Sequence, residues 1–221
     1  LIAALVATPP QLEARPDFNL ASGVRLYRPR IDDGGQIYLH GLSPDTDVRF
    51  IWTGPGDGSM TTIVELEPPS RISGRLGLGP ADDLAWYERV SGEFGSAWRY
   101  ELETGEVTQV WLNDEWDFAS WPQAIDATTI GLMVCNESCL IDERASHGVV
   151  TVEDGIAVAH IVDVAMDPDS PYLNVRWPHF TADGGFYVLV RLVGGPQQVL
   201  RFEADGAMTV IAEDVVGDPE S

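Results

Sequence analysis

The sequence predicts an all-β domain assembled from repeated antiparallel modules, and three observations predict it. Residues 186–213 hold three β-type runs, FYVLVRL, QQVLRFE and MTVIAE, broken at Gly194-Gly195-Pro196 and Ala204-Asp205-Gly206. Gly reaches positive φ and Pro fixes its own, so both breaks are turns. A meander this short cannot bury its own apolar face and implies neighbours of the same kind. The second observation is recurrence: a shift of 56 positions lays Trp177-Pro178 on Trp121-Pro122, and Phe186, Val188 and Val190 on Ile130, Leu132 and Val134. The third is the scarcity of any helical period, with 22 Gly and 15 Pro scattered at run ends.

In chain order, residues 1–18 form an N-terminal extended segment. Its opening LIAALVA is too short to span a bilayer. It is either the end of a signal or membrane anchor, with Pro9-Pro10 starting a linker, or an edge strand of the domain; the residues leave both readings open. The domain proper is expected over 19–215, with a tail at 216–221. GVRLYRP and QIYLHGL flank Asp32-Asp33-Gly34-Gly35, a strong hairpin signal. This hairpin is expected to be the outer half of a module completed by the C-terminus. Module first strands are then expected near Val48, Leu84, Ile130 and Phe186, at spacings of 36, 46 and 56 residues. Gly155–Met166 is the best candidate for a helix, but it alternates and reads equally as a strand. The longest connections are expected at 114–122 and 167–178, both carrying Trp, Pro and acidic residues. Long connections on a rigid scaffold are where binding usually resides.

Ser43-Pro44-Asp45 before VRFIW, Thr181-Ala182-Asp183-Gly184 before FYVLV, and Glu103-Thr104-Gly105-Glu106 closing a hairpin resemble the repeats of the TolB-like, WD40-like β-propellers. The resemblance covers residues 42–213 and implies a propeller or propeller-like array of about four to five antiparallel blades. It implies little about activity, because propellers host many unrelated tasks.

The charge balance is 35 acidic residues against 13 basic, net −22, and every basic residue is an arginine. Such a field repels nucleic acid and anionic lipid and favours partners with basic surfaces. A salt-adapted surface would have the same composition.

Cys135 and Cys139 are the only cysteines, and their spacing in an expected hairpin suits a cross-strand disulfide of an exported protein; the other reading is a pair of buried or free thiols in a cytosolic one. The scattered His40, His147, His160 and His179 complete no metal set. No nucleophile elbow exists, and Gly54-Pro55-Gly56-Asp57-Gly58 lacks the Lys-Ser/Thr of a phosphate loop. The expectation is therefore no metal and no cofactor. Calcium is the one ion the acidic turns would suit, although none follows the twelve-residue calcium-loop pattern. Trp86 and Trp98 are expected between blades. Trp116, Asp117, Trp121, Tyr172 and Trp177, in the long connections, are the expected partner-binding residues, since Trp is enriched in interface hot spots. A plainer role for Trp121 and Trp177 is a Trp-Pro plug between successive blades.

Together these features point to an exported, periplasmic or extracellular, non-catalytic binding or scaffold module, an accessory subunit of a larger and membrane-associated assembly. The competing reading is a propeller-type enzyme acting on carbohydrate or lactone. It would carry an acidic, calcium-bearing central site including His179.

Overall fold

The computed structural model describes residues 25–43, 47–55, 59–81, 83–90, 95–136 and 146–214. The segments expected at 1–18 and 216–221, the Pro44-Asp45 turn, Gly56–Gly58 and Cys139 lie outside the described residues. Four four-stranded antiparallel sheets follow one another along the chain, each a meander of consecutive strands. Blade 1 holds β1 (Arg25–Ile31), β2 (Gln36–Leu42), β3 (Arg49–Pro55) and β4 (Thr61–Leu66). Blade 2 holds β5 (Arg71–Leu78), β6 (Leu84–Arg89), β7 (Gly95–Tyr100) and β8 (Val107–Leu112). Blade 3 holds β9 (Phe118–Ala124), β10 (Thr129–Asn136), β11 (Ser146–Glu153) and β12 (Ile156–Val162). Blade 4 holds β13 (Tyr172–Phe180), β14 (Phe186–Leu192), β15 (Gln197–Phe202) and β16 (Met208–Glu213). No helix occurs among the described residues, and Ile156–Val162, which the sequence leaves open between helix and strand, is a strand.

The same local device opens every blade. An aspartate in the turn between the first two strands accepts hydrogen bonds, as short carboxylate side chains do. In blades 1, 3 and 4 these close that turn, and in blade 2 they tie it to the third strand and the turn that follows it. Asp32 accepts from the Gln36 amide (2.8 Å) and the Tyr38 hydroxyl (3.0 Å). Asp83 accepts from the Leu102 amide (3.1 Å) and pairs with Arg99. Asp126 accepts from the amides of Thr128 and Thr129 at 2.8 and 2.9 Å. Asp183 accepts from the Thr181 hydroxyl (2.6 Å), from Arg201 (2.6 Å) and from the Gly185 amide (3.1 Å). In that order, these three donors hold its carboxyl well below the usual carboxylate range. The outer hairpin of blade 3 turns through Asp154-Gly155, both at positive φ (49° and 79°), the mirror-image turn that matches strand twist.

Apolar side chains then fill the spaces between successive sheets. Tyr38 and Ile51 of blade 1 meet Ile72, Leu76, Leu84 and Trp86 of blade 2. Tyr87, Ala97 and Trp111 of blade 2 meet Ile130, Leu132, Val150 and Val152 of blade 3. Val149 and Ile161 of blade 3 meet Phe180, Phe186, Val188, Val190 and Leu200 of blade 4. Trp86, fully buried, stacks on Trp98 at 6.3 Å in the first of these cores. A sheet covered on both faces needs apolar residues without alternation. β10, six consecutive buried residues, is such a strand; β14 alternates buried and open, because nothing described covers its far face.

Two expectations are corrected. The first strand of a module is not near Val48, which precedes β3; the repeat starts two strands before the expected position in blade 1 and one strand before it in the other three, with β1, β5, β9 and β13. The hairpin over 19–40 is not an outer half completed by the C-terminus, because β1 and β2 are the inner half of blade 1 and β13 to β16 complete blade 4 alone. The long connections also contract: 118–122 belongs to β9 and 172–178 to β13.

Candidate functional site

The first strand of every blade carries the same irregularity. Its pairing slips between Tyr27 and Arg30 in β1, between Ser73 and Gly77 in β5, opposite Gly131/Met133 in β9, and between Arg176 and His179 in β13. The extra residues at these bulges are Arg28-Pro29, Gly74-Arg75-Leu76, Trp121-Pro122 and Trp177-Pro178. Proline suits a bulge because it has no amide hydrogen to give to the ladder. A bulge bends its strand and re-aims its side chains. Trp121 and Trp177 take φ of 56° and 55°, a left-handed conformation foreign to a bulky residue. The two copies match in detail.

The bulge also joins the blades. Its last residue presents a carbonyl to the preceding blade, and the following position of that blade receives it. Arg30 Nε donates to the Leu76 carbonyl (2.8 Å). Gln123 Nε2 donates to the Pro178 carbonyl (2.9 Å), while its Oε1 accepts from the Phe180 amide (3.2 Å). At the middle junction the receiving residue is Gly77, where any Cβ would collide with the Pro122 carbonyl oxygen. One structural position thus makes all three junctions, by a guanidinium, by an amide and by the absence of a side chain.

Residues at or just beyond the four bulges line one cavity of about 330 Å³, walled only by β1, β5, β9 and β13. Its polar lining is Arg30, Arg75, Gln123 and His179, and its aromatic lining is Trp121 and Trp177. The Arg75 guanidinium lies over the Trp121 ring, 3.8 Å from its centroid, a cation–π contact between blades 2 and 3. Trp177 is 44% exposed.

Of the residues expected to bind a partner, the structure brings Trp121 and Trp177 together in this cavity, in strands rather than connections. Trp116 is buried at 6% exposure against Trp111, so its ring is core and presents no surface. The reason is local: the Asn113 side chain accepts from the Glu115 and Trp116 amides and donates to the Trp116 carbonyl, turning Trp116 inward while the acidic side chains around it stay exposed. Asp117 is exposed between β8 and β9, apart from the cavity lining. Tyr172 is half-buried at the start of β13, its hydroxyl directed to Met208 Sδ at 3.3 Å, and burial pushes its phenol up. Cys135 is buried in β10 opposite His147, and no described cysteine is free. Cys135 is disulfide-bonded, and Cys139, the partner expected for it, lies outside the described residues.

The competing reading expects an acidic central site that includes His179. The cavity lining contains His179 but no aspartate or glutamate. Among the described residues no three His, Cys, Asp or Glu side chains gather as a metal set. Sequence reasoning missed Arg30, Arg75 and Gln123. A signal was present: Arg28-Pro29 is a third X-Pro pair in the series of Trp121-Pro122 and Trp177-Pro178.

No protein-family profile and no curated protein matches the chain. Solved structures do. TolB from Acinetobacter baumannii superposes with a TM-score of 0.57 at 14% identity, over 88% of this chain and 45% of that one. An oligogalacturonate lyase in complex with manganese gives 0.54 at 12% identity, over 82% of this chain and 63% of that one. A prolyl endopeptidase gives 0.57 at 9% identity, over 87% and 30%. The chain spans less than half the length of the TolB structure it matches. At these identities the likeness concerns architecture: the protein has a TolB-like, all-β propeller fold of four described blades.

Proposed function

We propose that the chain is a non-catalytic binding or scaffold module, exported to a periplasmic or extracellular setting as an accessory part of a larger assembly. The observation that carries this reading is the convergence of four innermost strands on a cavity lined by indoles, guanidiniums, an amide and an imidazole. Those groups recognise; among the described lining residues none is a nucleophile paired with a base. The exterior supports a basic protein partner, because 35 acidic residues against 13 arginines attract cationic surfaces and speed their encounter. Export is supported by the pairing proposed for Cys135 and Cys139, which intact mass with and without reductant reads directly.

The absence of lysine makes the partner reading testable. Carbodiimide activates the chain's carboxylates, and without lysine it has no side-chain amine with which to couple to itself. Adducts therefore report lysine-bearing partners. Discrete adducts that disappear as salt is raised are expected. The rival reading is an enzyme with His179 in a central site. Turnover of an oligosaccharide or lactone that His179→Ala abolishes would replace the binding reading.

A further inference from the structure

The electrostatics of the central cavity run against those of the whole molecule. In a chain of net charge −22, the lining holds Arg30, Arg75 and His179 and no carboxylate. A concave site with low-dielectric walls focuses the field of the groups that line it. The cavity's 330 Å³ falls within the range of small-ligand pockets and is small for a folded partner.

The aromatic side of the lining is also specific. Trp121 already carries the Arg75 guanidinium on its ring. Trp177 occupies the equivalent bulge of the next blade with the same φ, is 44% exposed, and has no described side chain stacked on it. Strained backbone that presents a side chain to a cavity is the kind of outlier that marks binding sites. A flat ring stacking on Trp177 would repeat what Arg75 does on Trp121. A negative group on that ring would then meet the arginine side of the cavity.

We propose that this cavity is a binding site for a small ligand carrying a carboxylate on a ring with an apolar face. A polyanion is disfavoured, because the molecule's net charge repels it as a whole whereas a single carboxylate feels chiefly the local field. Two sources share this chemistry: a sugar acid and an aromatic carboxylic acid. This inference goes beyond the binding-module reading, since a protein partner held by the acidic exterior would be indifferent to it.

The test is a titration of the full chain, followed by tryptophan fluorescence and by NMR, with D-glucuronate and benzoate. Glucose and benzyl alcohol serve as neutral counterparts. Saturable binding is expected for at least one carboxylate, with its neutral counterpart about tenfold weaker or worse. Trp177→Ala, an exposed position, should weaken the carboxylate about tenfold while leaving the melting temperature unchanged. Binding of glucuronate alone assigns a sugar acid, and of benzoate alone an aromatic acid. The proposal is overturned if no probe saturates, if neutral and anionic probes bind alike, or if Trp177→Ala leaves the affinity intact.

Discussion

Trp121 and Trp177 sit at φ of 56° and 55°, each followed by a proline that normally drives its predecessor to extended backbone. Holding a bulky residue there costs about 1–3 kcal/mol, and the surrounding ladder must over-determine it. Gln123 shows how: its amide clasps the Pro178 carbonyl and the Phe180 amide together, so the blade 4 bulge is held from blade 3. Elsewhere a single side chain sets a pH response. His40, buried in β2, has its imidazole pushed down to about 4 by burial first and by nearby Arg49 second. The unfolded imidazole binds a proton below about 6.5 while the folded one resists until about 4. Folding stability contributed by neutral His40 is therefore complete above the upper value and falls as pH drops between the two. The loss is at most about 1.4 kcal/mol per pH unit. His160 is lowered by burial and acts in the same direction. His40→Gln should flatten denaturant-measured stability between pH 6.5 and 4 relative to the parent chain; parallel curves would refute the assignment.

Blade junctions are where element-level structure is decided. Gly77 takes the Pro122 carbonyl into space that any Cβ would occupy, and backbone on both sides leaves no easy retreat. Gly77→Ala should destabilise by about 3 kcal/mol, the upper part of the overpacking range, seen as a lower urea midpoint. An unchanged midpoint would mean that blades 2 and 3 are not in contact there. Much of this level was legible in the sequence. The blade strands follow from turn dipeptides between β-rich runs, and the Trp-Pro pairs announced the repeat because both copies kept the same two residues. The phase of blade 1 was not legible. Its bulge reads Arg28-Pro29 rather than Trp-Pro, and Ser43-Pro44-Asp45 imitates the opening turn one connection late. The cavity was half legible: the indoles stood out, but Arg30, Arg75 and Gln123 reach it through bulge register, set by pairing with distant strands. Trp116 misled because its burial depends on the Asn113 side chain, within a run, DEWD, that looks exposed.

At the scale of the molecule, each sheet packs a face against its neighbour, and every blade gives its first strand to the cavity. The outermost strands are left with single neighbours and open side chains: Val107 and Leu112 on β8, Ile156 and Val158 on β12, and Met208, Val210 and Ile211 on β16 are exposed. Local stability should follow this layering, because opening free energy tracks buried contacts and paired backbone. Residue-resolved hydrogen exchange on the native chain tests this most directly. The second and third strands of all four blades (β2–β3, β6–β7, β10–β11, β14–β15) should be the slowest to exchange, and β4, β8, β12 and β16 the fastest. Protection spread without that fourfold layering, or concentrated in β4, β8, β12 and β16, would contradict the blade array and the shared cavity with it.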